Sequence, residues 1–261
     1  MHLSKIATPV LPSETDSNLP ANFQFVRVID VAPLGTDFLR LTLQGTDLSS
    51  HDDTSIHFRL VQPPKGNEPE WPSVNETGTT LWPDGPIALH KPVYTTRAID
   101  HVSNRLILDI FIHEGGRTID WAQGINDGTD PRICVGLSGP VGGGLMQADR
   151  VLMASDETGF PAAARILEGL PVKAKGEVFL ETKHGADCRY PIDAPKGVKI
   201  TWLARERSED FLASALQALP QHTESKIWLA GEREDARILR DAAKASGRVK
   251  EDLRISGFWR R

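Results

Sequence analysis

Hydrophobic and polar residues alternate in short runs through the first half of the chain. Leu39, Leu41 and Leu43, for example, fall on one face of an extended segment, with polar residues between them. Only one helix, over residues 118–124, is indicated among these runs. Several short strands joined by turns predict a β-barrel or sandwich. The predicted strands span residues 23–31, 37–43, 55–61, 93–100, 105–113 and 132–137.

The rhythm changes after the glycines at residues 142–144. Short apolar runs then alternate with segments of helical periodicity, which is the pattern of a parallel sheet flanked by helices. Ligands of such sheets bind beyond the carboxyl ends of the strands. The predicted strands are residues 150–154, 177–181, 199–204, 226–230 and 253–256. The predicted helices are residues 159–167, 208–219, with Ser208 as its cap, and 232–246.

The two patterns predict a small β-barrel domain followed by an α/β domain of the nucleotide-binding type. A length of 261 residues agrees, because single hydrophobic cores stop growing near that size. We place a flexible polar tail at residues 1–22, the barrel at 23–147 and the α/β domain at 148–261. The two parts also differ in charge. Residues 1–147 contain 10 Lys and Arg and 17 Asp and Glu, whereas residues 148–261 contain 20 Lys and Arg and 18 Asp and Glu.

Composition excludes several classes of protein. Two cysteines, Cys134 and Cys188, are too few for a disulfide scaffold or a four-cysteine metal site, and the histidines show no ligand spacing. No run of about 18 apolar residues predicts a membrane span, and the N-terminus lacks the apolar segment of a secretory signal. The net charge of −5 disfavours nucleic acid as a partner. We expect a cytoplasmic protein with no metal site of its own.

Two segments of the first half carry candidate chemistry. Tyr94, Thr95 and Arg97 place an aromatic ring, a hydroxyl and a guanidinium together, a set that can cover a flat ring, bond its edge and hold a phosphate. Downstream, two glycines after His113 lead into a helix near Thr118, and a helix N-terminus attracts anions such as pyrophosphate. Taken alone, the first segment is more typical of an ordinary half-exposed strand, and the second of a Gly-Gly turn with Thr118 as an ordinary N-cap.

Two further segments lie in the second half. Residues 154–164 join the first α/β strand to its helix, where a nicotinamide cofactor usually sits, although no G-x-G-x-x-G motif is present. Residues 256–261 end in two aromatic residues and two arginines, which can stack on a cofactor and hold an anion, or form a solvated tail. Arg59 is a further cation among apolar neighbours on a predicted strand, where it can equally face outward.

In this order and at these distances, the motifs resemble those of the siderophore-interacting protein family, which are flavin-dependent ferric-siderophore reductases of the ferredoxin-reductase-like superfamily. The resemblance spans about residues 23–261. The matching residues are His57 and Leu60 of a His-x-Lys-Leu strand; Tyr94, Thr95 and Arg97 of an Arg-x-Tyr-Thr-x-Arg flavin motif; Asp109, His113, Gly116, Trp121 and Ala122; Gly139 and Pro140; Asp156, Glu157, Thr158, Pro161 and Ala162; Ala230, Gly231 and Glu232; and residues 257–261.

The resemblance implies FAD bound by the barrel, NAD(P)H bound by the α/β domain, and reduction of Fe(III) in a ferric siderophore to Fe(II). It implies that Thr95 hydrogen-bonds to the flavin. Two departures stand out: Pro92 occupies the first arginine position of the flavin motif, so that Lys91 is the candidate replacement, and Arg59 stands where the family has lysine. The implied cofactor-binding residues are Lys91, Tyr94, Thr95, Arg97, Asp109, His113, Gly116, Thr118, Trp121, Asp156, Glu157, Thr158 and Trp259, and the implied substrate-binding residues are Arg59, Arg260 and Arg261.

Other functions stay open at this stage. The same fold suits a general NAD(P)H flavin reductase or the reductase component of an oxygenase, and a protein of another class would bind ferric siderophore without turnover. Reduced ferredoxin is an alternative electron donor. We expect a monomer.

Overall fold

The structure is a computed structural model that describes residues 18–66, 69–130 and 132–261. Most of the predicted N-terminal tail, residues 1–17, lies outside the described residues. The chain divides into two compact units. The first comprises residues 1–33 and 39–144, and the second comprises residues 34–38 and 145–261.

The first unit is built on antiparallel strands, as the alternation of apolar and polar residues predicts. Its strands are β1 (Phe23–Leu34), β2 (Phe38–Gln44), β3 (His57–Val61), β4 (Ser73–Val74), β5 (Thr80–Leu81), β6 (Val93–Thr95), β7 (Ala98–Asp100), β8 (Arg105–Phe111) and β9 (Cys134–Val141), and its helix is α1 (Arg117–Asn126). Seven strands form one sheet in the order β6-β3-β9-β1-β2-β8-β7, while β4 and β5 pair as a separate hairpin.

The seven-stranded sheet curves back towards itself. Its two edge strands, β6 and β7, are separated by only Thr96 and Arg97 in sequence. The Thr96 amide donates to the Ile56 carbonyl and the Arg97 amide to the Ile107 carbonyl, so both edges are tied at this corner. The apolar faces enclose a core that includes Leu41, Leu43, Phe58, Leu60 and Leu108, and α1 adds its buried face to it with Ile119, Trp121, Ala122 and Ile125. The predicted N-terminal β domain is confirmed as an antiparallel sheet.

The second unit is a five-stranded parallel sheet flanked by helices, and this prediction is also confirmed. Its strand order is β12-β11-β10-β13-β14. The central strand β10 is buried except at Arg150, because neighbouring strands pair on both edges and helices cover its faces. The elements are β10 (Arg150–Ser155), α2 (Phe160–Glu168), β11 (Lys175–Thr182), β12 (Gly197–Ala204), α3 (Phe211–Ala218), β13 (Lys226–Glu232), α4 (Arg233–Ala245) and β14 (Leu253–Trp259).

Short 3-10 helices occur at Gly85–Ile87, Glu157–Gly159, Gly185–Cys188, Arg205–Arg207, Leu219–Gln221 and Lys250–Asp252. One of them explains a wrong boundary. The sequence predicts that Ser208 caps α3, but Ser208 adopts a left-handed conformation with φ 59° at the end of such a helix. The N-cap is Asp210 instead, whose carboxylate accepts a hydrogen bond from the Ala213 amide at 2.6 Å.

A short early segment, residues 34–38, belongs to the second unit. The Thr36 amide donates to the Cys188 carbonyl at 3.1 Å. Gly35 has φ +61°, and a Cβ there would lie 2.2 Å from the same carbonyl oxygen, so only glycine fits. The buried ring of Phe38 packs against Phe160 and Tyr190, with centroids 5.9 and 4.5 Å away. The second unit is therefore assembled from two separate pieces of sequence.

Among the described helices, none is both long and apolar enough to cross a membrane. Within the same part of the chain, no three His, Cys, Asp or Glu side chains converge as a metal site.

Candidate functional site

Tyr94 and Thr95 lie on the edge strand β6, which pairs with β3 so that His57 stands opposite Thr95. The Thr95 hydroxyl is buried and lies 3.2 Å from Nδ1 of His57. The ring of Tyr94 packs against the core of the first unit. Burial raises the pKa of Tyr94 above its usual value, while a hydrogen bond to Thr118 acts in the opposite direction. The phenol is therefore neutral and able to donate a hydrogen bond at neutral pH.

Thr118 joins the two candidate flavin segments. Its hydroxyl, in the first turn of α1, contacts the Tyr94 hydroxyl and donates to Oε1 of Gln62 at 3.0 Å. Gln62 follows the end of β3 and is only 3% exposed. Tyr94 and Thr118 belong to recognisable sequence segments, but Gln62 does not, because no motif marks a single glutamine beside a strand.

Arg97, the last residue of the flavin motif, lies beside Asp109 of β8. The Asp109 side chain is fully buried and accepts two hydrogen bonds from Arg40, at 2.7 and 2.8 Å. The Nε of Arg97 lies 4.0 Å from the same carboxylate. Asp109 thus holds two guanidinium groups, one of which belongs to the predicted flavin motif. Arg40 carried no sequence signal, because it alternates with leucines like any outward strand residue.

Gly116 and His113 lie together before α1. Gly116 is the N-cap residue of α1, and no side chain caps this helix end. A Cβ on Gly116 would lie 2.7 Å from Cε1 of His113, so glycine lets the imidazole approach the backbone closely. Trp121 is buried in the core and its Nε1 donates to the Arg132 carbonyl at 3.0 Å. The N–H groups at the start of α1 are left available for an anion.

Lys91 and Arg59 lie on neighbouring strand segments. The ammonium of Lys91 lies 5.0 Å from the centroid of the Trp82 ring, a cation–π contact. The Arg59 side chain on β3 is half-buried, and its Nη1 lies 3.4 Å from the Lys91 carbonyl.

The Asp156, Glu157 and Thr158 segment lies at the carboxyl end of β10, where ligands of parallel sheets bind. Asp156 caps the short helix by accepting from the Thr158 amide at 2.9 Å. Its other oxygen accepts from Nε1 of Trp259 at 2.7 Å, which brings together residues 103 positions apart. Burial raises the pKa of Asp156, and the bonds from Thr158 and Trp259 partly oppose this shift.

A cluster of buried acids lies beside that segment. Glu157 and Glu181 both bind Arg205, which follows β12. Glu181 also accepts from the Phe211 amide at the start of α3, at 2.9 Å. Burial raises the pKa of Glu181, while these hydrogen bonds lower it. Arg205 is thus the cation that these two carboxylates share inside the second unit.

The C-terminal residues extend β14 beyond its predicted end at residue 256. Trp259 remains 40% exposed despite its bond to Asp156. The Arg261 amide donates to Glu232 at 3.2 Å, and its guanidinium carbon lies 5.9 Å from the Trp259 ring centroid. Arg260 is exposed. This end of the chain is thereby held on the sheet at the carboxyl ends of β10 and β13.

The first unit fits the FAD that the motifs imply. The start of α1 has no side-chain cap, and beside it the Nε2 of buried Gln62 has no hydrogen-bond acceptor among the described residues. Both features are donors suited to a phosphate oxygen. Tyr94 and Thr95 supply an aromatic ring and a hydroxyl on the adjacent strand.

The antiparallel β unit with its flavin motif and the parallel α/β unit that follows it have the fold of the ferredoxin-reductase-like proteins. The chain belongs to the siderophore-interacting protein family: residues 26–143 match the siderophore-interacting FAD-binding domain and residues 148–261 match the siderophore-interacting protein profile. The family resemblance and the FAD dependence drawn from the motifs are confirmed.

Several relatives cover almost the whole chain. Ferric vibriobactin reductase ViuB of Vibrio cholerae serotype O1 is 31% identical over 96% of this chain and 93% of its own. The NADPH-dependent ferric-chelate reductase of Escherichia coli K12 is 26% identical over 97% and 98%. Among solved structures, a siderophore utilization protein from T. fusca superimposes with a TM-score of 0.77 at 30% identity, covering 94% of this chain and 95% of that one.

A more distant neighbour shows the fold alone. The ferredoxin reductase of carbazole 1,9a-dioxygenase superimposes with a TM-score of 0.62 at 13% identity, over 91% of this chain and 69% of its own.

Proposed function

We propose that this protein reduces Fe(III) in ferric siderophores to Fe(II), with FAD held by the first unit and NAD(P)H as electron donor. The observation that carries the proposal is the near full-length similarity to a ferric vibriobactin reductase, together with the match of residues 26–143 to the FAD-binding domain. Bound FAD supplies the link between a two-electron donor and an acceptor that takes one electron.

The chain's own residues bind and orient the cofactors. We propose that Thr95, whose buried hydroxyl is fixed by His57, hydrogen-bonds to the edge of the flavin, and that Tyr94 packs on its face. Arg97, Asp109 and His113 complete the proposed flavin-binding residues. Because Asp109 is bound by Arg40, its part is to position Arg97. Gly116 and Thr118 serve the phosphates. The proposed nicotinamide-binding residues are Asp156, Glu157, Thr158 and Trp259.

The proposed siderophore-binding cations are Arg59, Arg260 and Arg261. Ferric siderophores are often anionic, so a local cluster of arginines attracts them even though the whole chain carries −5. We propose a cytoplasmic monomer in which the domains run over residues 23–147 and 148–261, after a tail at residues 1–22. Reduced ferredoxin is a second candidate electron donor.

The central test is turnover. Purified protein is expected to be yellow and, given a ferric siderophore and a chromogenic Fe(II) trap, to form Fe(II) with NADPH or NADH. A parallel reaction with reduced ferredoxin tests whether it replaces NAD(P)H as the electron donor. A second reaction, with free flavin in place of the siderophore, tests whether the protein is a general flavin reductase. A colourless protein that binds ferric siderophore without forming Fe(II) would contradict the enzyme and identify a binding protein.

Arg260→Ala is expected to raise KM for an anionic ferric siderophore several-fold while leaving the flavin content unchanged. The reason is that Arg260 is exposed and supplies charge to the substrate only. Steady-state kinetics measure the difference, with Arg254→Ala as the control because Arg254 is an exposed arginine on β14. Equal KM values for the two variants would remove Arg260 from the substrate site.

A further inference from the structure

We propose that a pocket beside the start of α1 binds a phosphate group of FAD, through the side-chain amide of Gln62 together with the His90 ring and the Arg117 guanidinium. The inference rests on the proposed function in so far as FAD is the cofactor. It assigns the phosphate to residues that no motif marks.

The pocket lies within the first unit and has a volume of about 190 Å³, several times the ~30 Å³ share of one water. Three Lys and Arg side chains line it against two carboxylates, apart from His90. One of these carboxylates, Asp130, is already bound by Arg132. The balance that remains, Lys65 and Arg117 against Asp120, is positive and favours an anion.

Gln62 supplies an observation independent of charge. Its side chain is 3% exposed, and its Oε1 is occupied by the Thr118 hydroxyl. Gln62 lines the pocket, and its buried Nε2 has no acceptor among the residues that the structure describes. Buried amide donors in proteins are almost always hydrogen-bonded, because an unmade bond costs the full desolvation of the group. An acceptor oxygen of a ligand would satisfy it.

His90 enters the pocket beside Gln62. The two backbones bond reciprocally, Gln62 N to His90 O at 2.8 Å and His90 N to Gln62 O at 3.0 Å, so their relative position is fixed. Burial, and then the nearby Arg117 charge, lower the pKa of His90. The ring is therefore neutral in the free protein at neutral pH, where one of its nitrogens is still a donor for an oxyanion.

Arg117 is the first residue of α1, whose uncapped N-terminus carries the positive end of the helix dipole. Arg117 lines the pocket together with Gln62 and His90, and its charge acts on the His90 ring. The pocket thus combines an uncapped helix end, a buried neutral donor and cationic groups. This combination fits a phosphate ester better than a carboxylate, because a phosphate offers more oxygens to separate donors.

The test compares two flavins that differ in phosphate. The full-length chain, stripped of flavin, is titrated with FAD and with riboflavin by fluorescence quenching. Gln62→Glu keeps the acceptor for Thr118 but replaces the donor by a carboxylate, so we expect the Kd for FAD to rise about tenfold or more. The Kd for riboflavin, which has no phosphate, should change less than twofold. Gln62→Met removes the donor without adding charge and should show a smaller loss confined to FAD.

Gln123→Glu is the matched control, because it adds the same charge to an exposed position of α1 outside the pocket lining. It should leave both Kd values unchanged. Inorganic phosphate should compete with FAD, though not with riboflavin, in the wild type. If both Gln62 variants raise the Kd for FAD and for riboflavin equally, or raise neither, the phosphate pocket is overturned while the proposed function stays intact.

A third arm separates the sources of phosphate. If the Gln62 variants bind FAD normally but show a raised KM for NADPH and not for NADH, the pocket serves the nicotinamide cofactor, and the FAD assignment is wrong. A wild-type chain that binds neither flavin would instead contradict the proposed function together with this inference.

Discussion

Arg205→Leu is expected to lower the free energy of unfolding by about 3 kcal/mol. The substitution leaves Glu157 and Glu181, whose side chains are 4% and 7% exposed, without their shared cation. Removing one partner of a buried ion pair typically costs ~3–5 kcal/mol. The Arg205 side chain is 41% exposed, so water screens part of the attraction and we take the lower end of that range. Urea-induced unfolding of the full-length protein measures the loss.

Arg207→Leu is the matched control, two residues further along the chain. The Arg207 side chain is 57% exposed and pairs with Glu209, whose side chain is 36% exposed. Removal of this surface ion pair should therefore change the free energy of unfolding little. If both variants lose the same stability, the buried acids do not depend on Arg205.

The deficit of Arg205→Leu should shrink as the pH is lowered from 7 to 5. Burial already raises the pKa of Glu181 above its usual value, and loss of Arg205 removes a group that opposes this shift. A carboxyl whose pKa is higher in the folded than in the unfolded state takes up its proton first in the folded state. The folded variant therefore gains stability relative to the unfolded chain as the pH falls through the raised pKa. A deficit that is constant or grows on acidification would contradict the buried-carboxylate explanation.

Asp109→Asn is expected to cost about 3 kcal/mol in unfolding free energy and to weaken flavin binding. The side chain keeps its shape but loses the charge that holds Arg40 by two hydrogen bonds and neutralises Arg97, whose side chain is 11% exposed. Arg97, the last residue of the flavin motif, then has no negative charge at Asp109 beside its guanidinium. Thermal unfolding and the flavin content of the purified variant measure the two effects.

Asp100→Asn provides the comparison for that variant. Asp100 is an exposed residue at the end of β7 whose carboxylate accepts from the Val102 and Ser103 amides in a turn. Asparagine preserves an acceptor for these bonds, so both stability and flavin content should stay close to those of the wild type. Unchanged flavin content in Asp109→Asn would show that Asp109 supports the fold without positioning Arg97.

Local patterns were sufficient to predict most of the secondary structure. Alternation over residues 37–43 predicts β2, and the strand–helix rhythm after residue 150 predicts the parallel sheet, because each pattern is a property of neighbouring residues. The β4–β5 hairpin was not predicted: it has two residues per strand, too few for an alternation to show. Serine suits a helix cap, so the sequence predicts one at Ser208, whereas the left-handed backbone of Ser208 depends on the preceding turn.

The candidate site shows the limit of sequence analysis more clearly. Tyr94 and Thr95 stand in a recognisable motif. The contact of Gln62, in contrast, arises only when the end of β3 meets α1, and that of Arg40 only when β2 lies beside β8. Pro92 occupies the first arginine position of the flavin motif, and Lys91 precedes it directly. Lys91 as the replacement phosphate ligand stays a prediction. The structure places its ammonium over Trp82 and brings His90 into the pocket beside Arg117. Which way a side chain leaves a strand is decided by pairing, which adjacency in sequence does not show.

The piece of chain at residues 34–38 has a consequence for recombining this protein with its relatives. A single crossover after residue 144 would join a foreign first half to residues 145–261 and thereby exchange the ring that packs against Phe160 and Tyr190. It would also exchange the glycine that fits under the Cys188 carbonyl. A chimera that inherits its α/β half from this protein therefore needs residues 34–38 from the same parent, and its natural design has three crossovers instead of one.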